Sequence, residues 1–302
     1  MSYDGYVKAE VIINSASGTT TPEELLRDIK QMFAAEGVDA QIHHAGLGDD
    51  INQLARRAAN TDAEIIVAGG GDGTLNSVAS AALASNKILG VLPLGTLNHF
   101  AKDLQIPLDI KEAVKTIAYG RTIRVDVGEF NGRIFLNNSS LGLYPSIVRE
   151  REKQQRLGYR KWPAYVWAAL AVLMRYPFLD LRLQAEGKEL ATRTPFLFVG
   201  NNRYEMETLN IGGRSALDAG TLSLYLTHRT GRLGLLRLAW RALFGGLNQE
   251  KDFMALSTEE LSIETRKKRV RVAMDGEVTV VQPPLRYRIR KKALAVRVPR
   301  GT

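Results

Sequence analysis

Cysteine is absent from the 302 residues, which excludes disulfides, zinc–thiolate sites and a cysteine nucleophile. Histidine is nearly absent, at four residues, so a histidine-rich metal cluster is not expected. No apolar run is long enough to span a bilayer, and the longest candidate, residues 162–174, falls short. The first residues, Met-Ser-Tyr-Asp-Gly-Tyr-Val-Lys, lack an apolar signal core. A cytoplasmic location is therefore expected. The two commonest phosphate-loop signatures are also absent. No Gly-Lys-Ser/Thr run occurs. Gly69 and Gly71 begin a Gly-x-Gly-x-x-Gly pattern, but Thr74 stands where its third glycine belongs. About 20 residues on, where such a loop needs an acid, Leu92 and its neighbours are apolar.

Positive charge is in excess. The formal net charge is +9, which favours an anionic partner such as nucleic acid, an anionic membrane surface or a phosphorylated ligand. The cations form three clusters: Arg149 to Lys161; Arg266, Lys267, Lys268, Arg269 and Arg271; and Arg286, Arg288, Arg290, Lys291 and Lys292. Such runs are as often plain solvated faces.

Glycine is concentrated in one place. Residues 63–76 read Ala-Glu-Ile-Ile-Val-Ala-Gly-Gly-Gly-Asp-Gly-Thr-Leu-Asn. Ile65 to Val67 form a buried strand. Thr74 opens a helix with Leu75, Val78, Ala79, Ala82 and Leu83 on one face. The glycines let a ligand approach the main chain, and the helix N-terminus suits phosphate. Asp72 adds nothing to packing and would repel bare phosphate, so it points to a metal ion, a water or a second site.

Around this stretch the chain alternates strand and helix. Strands are predicted at 7–14, 40–43, 65–67 and 88–94. Thr21-Pro22-Glu23-Glu24 starts one helix, which Gly37 ends, and Asp49 or Asp50 caps another. This order predicts a parallel sheet covered on both faces, with ligands beyond the carboxyl ends of its strands. His43 and His44 are read as incidental strand-end residues without partners. A helix is expected at 109–119. A hairpin is then expected around Asn131-Gly132, followed by strands at 179–184, 196–199, 221–227, 260–265, 270–274, 278–281 and 285–290. Many short strands predict a mostly antiparallel second domain. Residues 162–176 read as an apolar core helix. Residues 230–244 interleave arginines with Leu, Trp and Phe, which fits either a membrane-interface helix or a covered helix with snorkelling arginines.

Gly69-Gly70-Gly71-Asp72-Gly73-Thr74-Leu75-Asn76, Gly95-Thr96-Leu97-Asn98 and Asp275-Gly276-Glu277 together resemble the diacylglycerol kinase catalytic-domain family. That family includes soluble bacterial lipid kinases and sphingosine kinases and is distantly related to NAD kinases. The resemblance spans nearly the whole chain. It implies an α/β nucleotide-binding domain over residues 1–125, completed by a returning strand in 292–302, and a β-rich lipid-substrate domain over 126–291. The implied cofactors are ATP and Mg²⁺. Asn14, Ser17, Gly18, Gly70, Gly71, Asp72, Gly73, Thr74, Leu75, Asn76, Thr96 and Asn98 are the implied nucleotide residues. Glu277 is the implied general base, Asp275 its supporting acid and Asp72 a carboxylate organising metal or water. Asp126 is the implied contact for a lipid headgroup. The chain departs from the family pattern at Ser15, which replaces a proline, and at His99 and Ala219, which replace acids. No protein metal site is assigned. The implied partners are a lipid alcohol and, transiently, an anionic membrane surface at the inner face. Nucleic acid is not expected, because no recognised nucleic-acid module accompanies the basic clusters. The oligomeric state stays open, a homodimer included. Two alternatives remain: a kinase for a soluble substrate such as NAD, and a nonenzymatic nucleotide binder.

Overall fold

The computed structural model describes residues 7–14, 22–46, 49–142, 178–207, 210–227 and 253–301. Ser17, Gly18, the basic cluster at 149–161 and the helices expected at 162–176 and 230–244 lie outside the described residues. The chain divides into two compact units. One comprises Met1–Val127 and Lys291–Thr302, the other Gly128–Arg290.

The first unit opens with β1 (Val7–Ile13), α1 (Pro22–Ala35), β2 (Val38–His44), α2 (Ile51–Ala59), β3 (Ile65–Gly69), α3 (Asp72–Ser85) and β4 (Ile88–Leu92). It continues with α4 (His99–Asp103), α5 (Ile110–Tyr119) and most of β5 (Arg121–Phe130). The strand order is β2-β1-β3-β4, all parallel. β3 is buried throughout, as expected of a strand covered on both faces. α1 packs with α5, and α2 with α3. The helix starts are written in the sequence. Asp50 accepts hydrogen bonds from the amides of Asn52 and Gln53, and Asp109 accepts one from Glu112, so each carboxylate satisfies orphan donors of its helix. In α1 the inward positions Ile29 and Phe33 are fully buried, while Glu23 and Glu24 sit in the first turn, where negative charge suits the helix dipole.

The second unit holds β6 (Arg133–Phe135), β7 (Asn138–Gly142), β8 (Leu179–Ala185), β9 (Lys188–Thr194), β10 (Phe196–Asn201), β11 (Tyr204–Glu207) and β12 (Asn210–Arg214). After these come β13 (Leu222–Thr227), β14 (Phe253–Thr258), β15 (Glu260–Thr265), β16 (Val270–Met274), β17 (Glu277–Val281) and the first part of β18 (Leu285–Val298). One sheet runs β14-β13-β10-β7-β16-β17, and the other joins β18, β15, β8 and β9. The pairings in both are antiparallel. Leu141, Leu197, Leu224 and Val272 from one sheet pack on Leu181, Leu261, Ile263 and Tyr287 from the other, which makes a sandwich core. The Tyr287 hydroxyl is fully buried and meets Ser139 Oγ at 3.0 Å. Burial pushes this phenol well above its ordinary range.

The strand expected at 285–290 and the returning strand expected in 292–302 are one strand, β18, with the left-handed Lys292 within it at φ 45°. Its last part lies parallel to β4, with Val296 opposite Leu89. β7, β9, β11, β12 and β14 were not expected, nor was α4. The histidines do have partners: His43 Nε2 lies 2.5 Å from the buried Glu10 carboxylate, and His44 is engaged as well.

Candidate active site

In the first unit the chain leaves β1 for β2 on one side and comes back to β3 on the other. Between β1 and β3 the strand order therefore reverses, and open α/β sheets bind ligands beyond the carboxyl ends at that point. Asn14 and the glycine stretch follow those two ends. The Asn14 amide donates to Gly69 O at 2.8 Å. Its side-chain Nδ2 donates to Thr74 Oγ1 at 3.1 Å. Asn14 thus ties the end of β1 to the first turn of α3. That helix begins at Asp72, two residues before the expected Thr74, and Gly71 is its N-cap with no side-chain capping bond. The first amides of a helix have no partner within it, and no side chain at the N-cap position meets them here. Asp72 and Gly73 are half-buried at the helix start, and Asn76 is half-buried one turn on. Asp72 and Asn76 each have a partner.

The second loop touches the first. A Cβ placed on Gly95 would lie 2.8 Å from Gly71 Cα and 3.1 Å from Gly70 O. The two main chains are thus in contact, and only glycine fits. Thr96 is exposed, and Leu97 beside it is 54% exposed. Asn98 takes a left-handed conformation, φ 50°, and its Nδ2 donates to Pro93 O at 3.1 Å and Gly95 O at 2.8 Å. Both hydrogens of that amide hold the loop, which leaves the Oδ1 side alone for a ligand. Leu75 differs from expectation more plainly. Its side chain is buried, and its amide donates to Gly71 O at 3.0 Å, so it presents no group to a nucleotide. Buried Phe100 and Ala101 of α4 anchor the loop from behind.

In the second unit Asp275 and Gly276 form the two-residue turn between β16 and β17. Their φ values are 44° and 87°, and Met274 pairs with Glu277 across it. Two positive φ values in a two-residue loop match the twist of a hairpin. The Asp275 carboxylate is buried and faces the backbone. Oδ2 accepts from Leu136 N at 2.7 Å, and Oδ1 accepts from Asn137 N at 2.8 Å and Asn138 N at 3.1 Å. The opposite side of this segment meets a cation. Buried Arg214 donates through Nη1 to Leu136 O at 2.7 Å and Asn201 O at 3.1 Å, and through Nη2 to Asn137 Oδ1 at 3.1 Å. Its guanidinium lies over the Tyr204 ring, 5.5 Å from the centroid. Asn201 Nδ2 adds a bond to Leu136 O at 2.8 Å. The Leu136–Asn137 peptide is therefore held between a carboxylate on its N–H and a guanidinium on its carbonyl, an alignment that suits its dipole. Glu277, just past the turn, is exposed. Arg214, Asn137 and Asn201 were missed by sequence reasoning. The one available signal was polar side chains at strand ends in otherwise apolar segments.

Asp126 is 1% exposed, and its Oδ1 accepts from Lys292 N at 2.7 Å. Its carboxylate secures the left-handed residue in β18. Asp218 and Ala219 are exposed. Among the described residues no group of three or more histidine or carboxylate side chains is placed to hold a metal ion.

Residues 8–130 match the diacylglycerol kinase catalytic domain, and residues 143–298 match the YegS C-terminal NAD kinase beta sandwich-like domain. The chain belongs to the diacylglycerol kinase family. Within this family it is 26% identical over 281 residues to the diacylglycerol kinase of Bacillus subtilis (strain 168), covering 89% of each chain. It is 27% identical over 226 residues to that of Staphylococcus carnosus (strain TM300), covering 74% of this chain and 73% of the relative. A crystal structure of a diacylglycerol kinase from Bacillus anthracis str. Sterne has the same fold, with TM-score 0.70 and 21% identity over 97% of both chains. A second crystal structure from that strain gives TM-score 0.76 and 22% identity over 97% of both. The diacylglycerol kinase family is one of lipid kinases. Its two-part architecture, an α/β unit and an antiparallel β unit, is the one seen here.

Proposed function

We propose that the chain is an ATP-dependent kinase that phosphorylates a hydroxyl of diacylglycerol or a similar lipid alcohol. The observation that carries this reading is the two-loop cradle at the reversal point of the parallel sheet, where Asn14, Gly70, Gly71, Thr74 and Gly95 converge beside an uncapped helix start. Backbone amides and small side chains there suit the phosphates of ATP. Thr96 and the Asn98 oxygen offer further polar contacts. When bound, ATP would supply the phosphoryl group, and Mg²⁺ would supply charge neutralisation for its transfer. Mg²⁺ prefers phosphate and water oxygens with one or two carboxylates. The donor set fits that habit, with Asp72 as the protein carboxylate. Glu277 is the proposed base for the lipid hydroxyl. Asp275 supports it by fixing the turn, since its own oxygens are taken by backbone amides.

The test is phosphate transfer from labelled ATP to a panel of lipid alcohols, with NAD as a soluble acceptor. Lipid-dependent transfer is expected. Glu277→Gln should lower kcat by about a hundredfold to ten-thousandfold, the usual worth of a general base. Unchanged turnover would remove Glu277 from that role. Transfer to NAD alone would replace the lipid reading, and ATP binding without any transfer would make the chain a nonenzymatic binder.

A further inference from the structure

The three basic clusters differ in how their charge is met. One lies outside the described residues. In another, Arg288 makes a bidentate pair with Glu129, at 2.9 and 3.0 Å, and Arg290 reaches the same carboxylate at 3.7 Å. The third, on the turn between β15 and β16 and the start of β16, meets no opposite charge among the described residues. Arg266, Lys268, Arg269 and Arg271 are exposed and Lys267 half-buried, and none of these five side chains has an ion pair or hydrogen bond among the described residues. A cavity of about 310 Å³ opens beside them. Its described lining combines Lys267, Arg269 and Arg271 with Leu179, Val270 and Val280, and holds no carboxylate. Val280 lies directly across from Arg271 in the β16–β17 pairing. It is 60% exposed, the most exposed of the large apolar side chains among the described residues.

Cations without a partner among the described residues, interleaved with exposed and buried apolar side chains, match one chemistry: a phosphate headgroup whose acyl chains continue into an apolar phase. We propose that the β15–β16 turn and this cavity bind the headgroup of an anionic phospholipid and seat the second unit on a bilayer. The seat would supply the enzyme at the surface where a lipid acceptor resides, so its purpose, though not its existence, rests on the kinase reading. Nucleic acid is the lesser candidate. The cavity admits a single headgroup, and no aromatic side chain among its described lining offers a stacking platform.

The experiment is co-sedimentation of the full chain, without nucleotide, with phosphatidylcholine vesicles with and without phosphatidylglycerol. Binding should need phosphatidylglycerol and weaken with salt. Each basic residue near an anionic surface contributes about fivefold in binding, so Lys267→Gln/Arg269→Gln/Arg271→Gln should lose about a hundredfold. Lys30→Gln/Arg56→Gln/Arg57→Gln, which removes the same charge from exposed positions on α1 and α2, should lose far less. Arg269→Gln alone should lose about fivefold and Val280→Asp at least as much, which keeps the test valid if the triple variant misfolds. Equal losses in the two triple variants would reduce the effect to net charge and overturn the proposal. So would undiminished binding of the cavity variants, or preferential capture by duplex DNA or RNA. Displacement by inorganic phosphate at an ionic strength where sodium chloride has no effect would make this a free-phosphate site and also overturn it. The assay involves no phosphoryl transfer, so its failure is separable from failure of the kinase reading.

Discussion

At the scale of single residues, Asp275 and Arg214 do their work through a peptide rather than through each other. A carboxylate accepting three amide hydrogen bonds in a buried place is worth more than its packing, because its loss strands all three donors. Asp275→Asn keeps the size but places an N–H₂ group against amides that need an acceptor. The expected outcome is a loss of about 3 kcal/mol in the urea-unfolding free energy, with nucleotide binding by the other unit retained. A loss confined to activity, with stability unchanged, would show instead that Asp275 acts on substrate. Glu277 stands in contrast. Its side chain is exposed at the start of β17, so Glu277→Gln should change kcat without a comparable change in stability.

At the scale of elements, the glycine loop and the Gly95 loop form one unit held by main-chain contact. Gly95→Ala would drive a methyl into Gly71 Cα and Gly70 O, both backbone, and overpacking of this kind costs about 1–3 kcal/mol. Nucleotide titration of that variant should show affinity weaker by roughly tenfold or more. Unaltered affinity would mean that this contact does not shape the binding loop. Most of the elements around these loops were legible in the sequence. Buried strands such as Ile65–Gly69 announce themselves by β-branched runs, and helix starts by Asp50, Asp109 and Pro22. What stayed illegible has physical reasons. β9, Lys-Glu-Leu-Ala-Thr-Arg-Thr, is an edge strand whose place comes from pairing with β8 rather than from its own pattern. α4 is too short to show a helical period, and it starts at an Asn98 whose left-handed conformation follows from loop closure. The candidate site was legible where motif and backbone coincide, at Gly70 to Thr74, Gly95 and the Asp275–Gly276 turn. It was illegible at Arg214, Asn137 and Asn201, because three polar residues far apart in the chain become one network only after the sandwich forms. Leu75 was read as part of the site from its neighbours, yet helix periodicity turns it into the core.

At the scale of the whole molecule, the second unit is an insertion within the first. The chain passes out after Val127 and back after Arg290, along β5 and β18. Leu294, Val296 and Val298 at the end of β18 are buried almost completely, and burial of three such side chains contributes about 5–9 kcal/mol. That matches the entire stability of a typical domain. A chain ended after Arg290 is therefore expected to lose the first unit's fold. Limited proteolysis and nucleotide binding would show this. Retained nucleotide binding would mean that the unit stands without its last strand.

The same insertion sets a timetable for biosynthesis. The ribosome must make the whole inserted unit before residues 293–298 exist, a delay of roughly ten to thirty seconds at ordinary elongation rates. Through that interval the nascent parallel sheet has an open flank at β4, rich in Leu89, Val91 and Leu92, with no strand to close it. Chaperone engagement, or sensitivity to synthesis rate, should concentrate in that window rather than after release.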